Sequence, residues 1–227
     1  MLDRTEWQRR WRKADTFVID LDGTLLDTLG DLQAACNHAM AVFALPPRTR
    51  DDIRRFIGDG IRKLLERALP DSADLHPEEF SQLESAFHTY YREHLWDCTR
   101  IYPGVPEVLT ALQSRGAKLA VLTNKPQAAA EALCRHFFAG TFVEVIGQEE
   151  GRAKKPDPAE LLALLERLDS SPGRTILLGD SEVDMITAGN AGVTAAGAAW
   201  GFRSREVLET NGADGILTQA GEILALL

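Results

Sequence analysis

Short apolar runs alternate with segments of helical periodicity along most of this chain. Near-continuous apolar runs are typical of strands in a parallel sheet that is covered on both faces. The strand-like runs are Thr16–Leu21, Lys118–Thr123, Phe142–Ile146, Thr175–Gly179, Val193–Ala198 and Gly215–Leu217. The helical segments between them are Pro106–Ser114, Gln127–Phe138, Pro158–Leu168, Glu182–Ala191 and Ser204–Thr210. This alternation predicts an α/β fold, with a doubly wound parallel sheet.

The stretch between the first two predicted strands has a different pattern. From Leu29 to Leu95, apolar residues recur at intervals of three and four, and no strand-like run interrupts them. The segments Pro46-Pro47 and Pro70–Pro77 divide this stretch into three or more amphipathic helices. Because the stretch is much longer than an ordinary connection between a strand and a helix, we predict an all-helical domain inserted into the α/β core.

The predicted domain boundaries follow from these two patterns. Residues 1–15 form an N-terminal extension, residues 28–98 form a helical cap domain, and residues 16–27 and 99–227 form the core. In the extension, Trp7 and Trp11 would share one face of a short helix. We expect this helix to dock on the core or on a neighbouring subunit, although its basic residues also leave open a location at a membrane surface.

Charge and cysteine content narrow the possible partners. With 25 Lys and Arg against 34 Asp and Glu, the 227 residues carry a net charge of −9. This balance disfavours nucleic acid as a partner, but it leaves open a small phosphorylated metabolite bound by a few local charges. Cys36, Cys98 and Cys134 lie far apart, so we expect three buried free thiols rather than a disulfide framework or a zinc site.

The distribution of apolar residues predicts a cytoplasmic protein with no membrane partner. No apolar run approaches the length of a membrane span, about 20 residues, and the first residues lack the apolar region of a signal peptide. The sequence leaves open whether the protein is a monomer or a homodimer.

Acidic residues follow two of the predicted strands. Asp20 and Asp22 are two positions apart, so an extended backbone would direct both carboxylates to the same side. Gly23 then permits a sharp turn that leaves backbone N–H groups open to an anion. Asp180 and Asp184 follow another strand, and ligands of open parallel sheets bind beyond the strands' carboxyl ends. Four carboxylates without His or Cys predict a hard cation, most plausibly Mg²⁺.

Neutral and basic residues are predicted to reach the same edge of the sheet. Thr123 and Asn124 end the second apolar run, and Lys154 and Lys155 follow the third. A hydrated Mg²⁺ ion can accept a phosphate oxygen, so this set favours phosphoryl chemistry. Each feature alone is also explained by a turn, a strand end or a solvated loop, and it is their combination that indicates a site.

Four motifs in this order resemble those of the haloacid dehalogenase-like superfamily. They are Asp20–Thr24 within DLDGTLLDT, Thr123, Lys155 within KPDP, and Gly179–Asp184 as GDSEVD. The resemblance covers nearly all of the chain after residue 15, and it implies a Rossmann-like core. The helical insertion is similar to the cap of the subgroup that contains phosphoglycolate phosphatase and β-phosphoglucomutase.

The resemblance implies a role for each carboxylate. Asp20 would be the nucleophile that forms an aspartyl-phosphate, and Asp22 would protonate the leaving group and then activate water. Mg²⁺ would be held by Asp20, by the backbone carbonyl of Asp22 and by Asp180, while Asp184 would orient a water ligand.

The resemblance also assigns residues that bind the phosphate and the rest of the substrate. Thr123 and Lys155 would complete the catalytic set, with Lys155 offsetting negative charge. The residues expected to bind substrate are Gly23, Thr24 and Asn124 in the core, and Gly58 and Arg62 in the cap. For Arg62, a solvated position on a helix face remains an open alternative.

The implied function is Mg²⁺-dependent hydrolysis of a small phosphate monoester, with 2-phosphoglycolate as the first candidate. Asp22 disfavours the dehalogenases of the superfamily, which lack an acid at that position. Two alternatives stay open: a phosphomutase similar to β-phosphoglucomutase and a non-catalytic phosphate-binding protein. Gly179 favours a phosphatase, since the related mutases tend to carry Glu there.

Overall fold

The computed structural model describes residues 1–73 and 75–227. The chain divides into two compact units. An α/β unit comprises Met1–Leu26 and Ile101–Leu227, and a helical unit comprises Asp27–Arg100.

Eight strands occur in the described residues. They are β1 (Thr16–Ile19), β2 (Leu26–Asp27), β3 (Arg100–Ile101), β4 (Lys118–Pro126), β5 (Glu144–Gln148), β6 (Thr175–Gly179), β7 (Thr194–Ala198) and β8 (Gly215–Leu217). Six of them form one parallel sheet in the order β5-β4-β1-β6-β7-β8. This confirms the predicted α/β fold with a parallel sheet.

Ten α-helices accompany these strands in the part of the chain that the structure describes. They are α1 (Arg4–Lys13), α2 (Leu29–Val42), α3 (Arg50–Phe56), α4 (Ile61–Ala68), α5 (Pro77–Glu93), α6 (Val105–Ser114), α7 (Gln127–Phe137), α8 (Ala159–Arg167), α9 (Glu182–Ala191) and α10 (Arg205–Thr210). Short 3₁₀ helices cover Pro172–Arg174 and Ala220–Ala225. No described helix is long and apolar enough to cross a bilayer.

The central strands of the sheet are apolar and buried. Val18 of β1 lies opposite Ala120 of β4 and Leu177 of β6, and all three are buried. All four residues of β1 are buried, and successive residues of a strand point to opposite faces, so both faces of the sheet are covered. Leu161 of α8 and Met185 of α9 belong to the same buried cluster.

Three details differ from the sequence-based expectation. The third predicted strand, Phe142–Ile146, lies two residues later, at Glu144–Gln148. The two-stranded sheet of β2 and β3 was not predicted, because strands of two residues leave no periodic signal. Cys98 is exposed, so the expectation of three buried thiols is wrong for this residue.

The N-terminal helix α1 packs on the α/β unit. The ring of Trp11 is fully buried and lies 5.6 Å from that of Phe17 in β1, measured between ring centroids. Trp7 lies against Gly215, where a Cβ would come within 2.8 Å of the indole. Arg10 donates a hydrogen bond to the hydroxyl of Thr194 in β7, at 3.3 Å.

In the helical unit, the buried carboxylate of Asp31 ties α2 to the segment that follows α5. Asp31 accepts hydrogen bonds from the backbone N–H groups of Cys98 and Thr99, both at 2.8 Å, and from the Thr99 hydroxyl at 2.7 Å. Three donors compensate for the burial of this carboxylate. The helical unit is therefore held together by buried hydrogen bonds to Asp31 as well as by its apolar core.

Candidate functional site

Three carboxylates meet at the carboxyl ends of β1 and β6. Oxygens of Asp20, Asp180 and Asp184 all lie within 4.8 Å of one another, and all three residues are buried. The backbone N–H of Asp20 donates to the carbonyl of Leu178 at 2.9 Å, which fixes the end of β1 against β6. Adjacent parallel strands thus bring together residues that lie far apart in the chain.

Lys155 places a buried ammonium group between two of these carboxylates. Its Nζ lies 2.9 Å from Oδ1 of Asp20 and 2.6 Å from Oδ1 of Asp184, and it donates to the Leu122 carbonyl at 2.8 Å. The neighbouring Lys154 is exposed. The structure therefore places Lys155, and not Lys154, in the carboxylate cluster.

Burial and like charge alter the proton affinities in this cluster. Burial raises the pKa of Asp20 to about 6, an effect that Lys155 opposes and Asp184 reinforces. Burial also raises the pKa of Asp180 well above its ordinary value, with Asp20 and Asp184 adding to the rise. Burial lowers the pKa of Lys155, but Asp184 and Asp20 outweigh it, so the net direction is upward. A bound cation would relieve the repulsion among the carboxylates.

Asp180 is held in place by groups from two loops. The Thr24 hydroxyl donates to its Oδ1 at 3.2 Å, and the Phe202 N–H donates to its Oδ2 at 2.7 Å. The indole N–H of Trp200 in turn donates to the Thr24 carbonyl at 3.0 Å. A Cβ at Gly201 would lie 2.3 Å from the Cβ of Asp180. The backbone of this loop can therefore come close to Asp180 only because residue 201 has no side chain.

Gly23 occupies the turn beside Asp180, as its sequence position implied. Its φ of +85° suits glycine, and a Cβ there would lie 2.2 Å from Oδ2 of Asp180. Its N–H donates to the Leu26 carbonyl at 2.8 Å. The expectation that this N–H is open to an anion is therefore not met, because the bond lies within the turn.

Asp184 is fixed at the start of α9. Its Oδ2 accepts from both the N–H and the hydroxyl of Ser181, at 3.1 and 2.6 Å, which forms the capping box of the helix. Its Oδ1 contacts Lys155. The motif GDSEVD thus combines a helix start with a carboxylate of the cluster.

The Asp22 carboxylate has a different cationic partner, Lys125, which the sequence analysis did not single out. The Lys125 Nζ lies 3.0 and 3.1 Å from the two carboxylate oxygens of Asp22. Lys125 is two positions after Thr123 in β4, in the part of the strand where the register with β5 shifts. A lysine two positions after Thr123 was the feature of the sequence that could have identified it.

Thr123 and Asn124 lie within β4, which continues to Pro126, so the expectation that they end this strand is wrong. Thr123 is buried, and its hydroxyl accepts from the N–H of Lys125 at 3.3 Å. The side-chain amide of Asn124 donates to the Lys155 carbonyl at 3.0 Å. Asn124 therefore ties the segment that carries Lys155 to β4.

Gly58 and Arg62 belong to the helical unit. Gly58 has a φ of +126°, and it precedes α4. The Arg62 guanidinium lies 4.6 Å from the ring centroid of Phe80, and it donates to Glu84 at 2.8 Å. Within this unit, Arg62 is thus engaged with an aromatic ring and a carboxylate.

The amino-acid sequence of the chain was compared with models of known protein families. The sequence model of the family described as haloacid dehalogenase-like hydrolase matches residues 17–198. The chain belongs to this family. Membership confirms the resemblance stated from the motifs, and it identifies the protein as a hydrolase.

Curated relatives and a solved structure cover nearly the whole chain. A phosphoglycolate phosphatase of Caulobacter vibrioides is 39% identical over 201 residues, covering 88% of this chain and 84% of the relative. A phosphoglycolate phosphatase of Vibrio vulnificus strain YJ016 is 33% identical, covering 91% and 93%. The crystal structure of a predicted phosphoglycolate phosphatase from Haemophilus somnus 129pt has a TM-score of 0.89 at 30% identity, covering 94% of this chain and 98% of the other.

The carboxylate cluster could hold a metal ion. Its donors in Asp20, Asp180 and Asp184 are all oxygen atoms, which hard cations such as Mg²⁺ prefer. Burial raises the pKa values of Asp20 and Asp180, and the neighbouring carboxylates add to the rise, so a bound cation would favour their ionised forms. The residues present therefore fit the cation that the sequence predicted.

Proposed function

We propose that this hydrolase is a magnesium-dependent phosphatase, and that 2-phosphoglycolate is the first candidate for its substrate. The observation that carries the proposal is the buried cluster of Asp20, Asp180 and Asp184 beside Lys155. The curated relatives named phosphoglycolate phosphatase support the choice of substrate. A small phosphorylated metabolite is then the partner, and the cytoplasm is the expected compartment.

In the proposed reaction, Asp20 attacks the phosphorus atom of the substrate. The bond from phosphorus to the leaving oxygen breaks, and an aspartyl-phosphate forms on Asp20. Lys155 contacts Oδ1 of Asp20, so it orients the nucleophile and offsets the charge that accumulates during the transfer. Thr123 and Asn124 are proposed to bind phosphate oxygens.

Asp22 is proposed to move the protons in both steps. Its carboxyl group gives a proton to the leaving alkoxide, and the resulting carboxylate then takes a proton from water. That water attacks the aspartyl-phosphate, which releases inorganic phosphate and restores Asp20. Gly23 and Thr24 act through the neighbouring Asp180, whose position they determine.

Asp20, Asp180 and the Asp22 carbonyl would hold Mg²⁺, and Asp184 would orient one of its water ligands. When bound, the ion supplies positive charge to the transferring phosphoryl group. Buried carboxylates of raised pKa suit this role, since a cation stabilises their ionised forms.

The space beside Gly179 disfavours the phosphomutase alternative. A Cβ at position 179 would lie 2.2 Å from Cγ of Asp184. A glutamate at this position, which the related mutases tend to carry, therefore conflicts with Asp184 where this chain places it. The intact set of carboxylates together with Lys155 argues against a protein that merely binds phosphate.

Specificity for the carboxylate of 2-phosphoglycolate is proposed to come from the helical unit, which we assign as the cap. Arg62 and the turn at Gly58 are the candidates. Because Arg62 contacts Glu84, a substrate carboxylate would have to compete with that ion pair. The α/β unit would then carry the chemistry, and the cap would choose the substrate.

The test compares 2-phosphoglycolate with ethyl phosphate, which has no carboxylate. With Mg²⁺, we expect turnover of both and a lower KM for 2-phosphoglycolate; in EDTA, turnover should be lost. Asp20→Asn should lose activity by about a thousandfold or more, because an amide is a poor nucleophile. Asp15→Asn, at the opposite end of β1, is the matched control. Activity that survives EDTA or Asp20→Asn would refute the mechanism.

A further inference from the structure

Lys125 is a buried cation that the proposed chemistry does not yet use. The residue is 4% exposed, and its side chain is 1% exposed. Burying an ammonium group costs free energy unless it is paired, so its partner is informative. Lys125 contacts both carboxylate oxygens of Asp22, at 3.0 and 3.1 Å.

The geometry of this ion pair restricts the Asp22 carboxylate. The two nearly equal contacts place the ammonium group symmetrically between the carboxylate oxygens, which restricts the direction in which the Asp22 side chain points. Lys125 lies in the last part of β4, beyond the stretch Lys118–Val121 that pairs with β1. Asp22 itself has a side chain that is 21% exposed, so it borders solvent while Lys125 lies buried beside it.

We propose that Lys125 is a positioning residue that aligns the Asp22 carboxyl group for proton transfer to the leaving oxygen. This inference rests on the proposed function, in which Asp22 acts as acid and base. Proton transfer depends steeply on alignment, since the acid must come within hydrogen-bond distance of the oxygen it protonates. Loss of Lys125 would therefore slow the step without removing the acid.

This role predicts a dependence on the leaving group. An alkoxide leaves only when it receives a proton, whereas nitrophenolate is a far weaker base and leaves without one. The value of kcat/KM reports the steps up to phosphoryl transfer to Asp20. Weakened alignment of Asp22 should therefore lower kcat/KM for alkyl phosphates and spare p-nitrophenyl phosphate.

The experiment measures kcat/KM of the Mg²⁺-loaded full chain with 2-phosphoglycolate, ethyl phosphate and p-nitrophenyl phosphate. Lys125→Met should lower it about tenfold or more for both alkyl phosphates, and at most about threefold for the aryl phosphate. Lys125→Gln, which retains a donor, should have a smaller effect of the same selectivity. Lys118→Met, at the other end of β4, is the matched control and should leave the ratio of alkyl to aryl activity unchanged.

Asp22→Asn separates the possible outcomes. It should show the same selectivity for the aryl substrate, and adding Lys125→Met to it should cause little further loss, because both act on one proton transfer. If Asp22→Asn is selective while both Lys125 variants lower all three activities equally, or lower none, the positioning role is refuted and the proposed function stands. If Asp20→Asn remains active, the proposed function fails and the role of Lys125 fails with it.

Discussion

The carboxyl group of Asp184 occupies the space where a side chain at Gly179 would begin. A Cβ at Gly179 would lie 2.2 Å from Cγ and 2.5 Å from Oδ2 of Asp184. Gly179 is the last residue of β6, and Asp184 lies in the first turn of α9. The glycine therefore allows the helix to start close enough for Asp184 to reach Asp20 and Asp180.

Gly179→Ala is expected to displace Asp184 and to destabilise the protein by about 1–3 kcal/mol, as overpacking does elsewhere. Mg²⁺-dependent phosphatase activity should fall more than stability alone explains. Urea unfolding and a Mg²⁺ titration of activity measure the two effects. Gly189→Ala, in the same helix α9 and with no atom within 4 Å of its Cβ, should instead preserve activity and stabilise by about 0.5–1 kcal/mol. If Gly179→Ala and Gly189→Ala had the same stability and the same activity, the steric role of Gly179 would be contradicted.

Asp180→Asn should stabilise the metal-free protein at pH 8. The folded-state pKa of Asp180 is raised by burial and by Asp20 and Asp184, so its stabilising contribution is present at low pH and lost as pH rises. The amide cannot ionise, so the stability that the variant gains over the unmodified protein should be larger at pH 8 than at pH 5, by about 1 kcal/mol or about 2–4 °C in Tm.

Thermal melts in EDTA at both pH values test this expectation for Asp180→Asn. Adding Mg²⁺ should raise the Tm of the unmodified protein and not that of the variant. Asp71→Asn, an exposed position in the helical unit, serves as the control. A variant that is less stable than the parent at pH 8 in EDTA would show that hydrogen bonding by Asp180 outweighs its charge.

Binding of Mg²⁺ should strengthen as pH rises through about 6. The pKa of Asp20 is raised to about 6, so at lower pH a proton competes with the cation for this carboxylate. Below that pH, affinity should rise up to about tenfold per pH unit for each proton released. Calorimetric titrations in two buffers of different ionisation enthalpy should detect proton release at pH 6 and little at pH 8. If Mg²⁺ binding releases no protons at pH 6, then either Asp20 is not a ligand of the cation or its pKa is not near 6.

The N-terminal helix should contribute to the stability of the α/β unit through Trp11. This side chain is fully buried, and its Nε1 has no hydrogen-bond partner among the described residues. Trp11→Ala should cost about 3–5 kcal/mol by leaving a cavity. Trp11→Phe should cost much less, because it removes an unsatisfied donor together with part of the ring. Denaturant unfolding measures the free energy of unfolding of both variants. If Trp11→Phe lost as much stability as Trp11→Ala, the unsatisfied donor of Trp11 would have no effect on stability.

The elements of the fold were predictable because their signals are local. The apolar run Thr175–Gly179 matches the bounds of β6, and the described residues between Leu29 and Leu95 form helices and no strand, as their periodicity predicts. The residues of the carboxylate cluster were also identifiable, since Asp20 lies at the end of one apolar run, Asp180 directly follows another, and Asp184 lies in the first turn of the helix after it. Parallel strands end at the same edge of their sheet, so this position suffices to suggest a common site.

By itself, the sequence determined an α/β fold with a helical insertion and the set of acids at the strand ends. The pairing of cations with acids depends on the packing of the strands: Lys155 contacts Asp20 and Asp184, while Lys125 contacts Asp22. Asp22 and Lys125 are 103 positions apart, and their contact depends on β4 lying beside β1. Hydropathy reports how deeply a strand is buried but not which strand lies next to it, because every central strand of a parallel sheet is apolar on both faces.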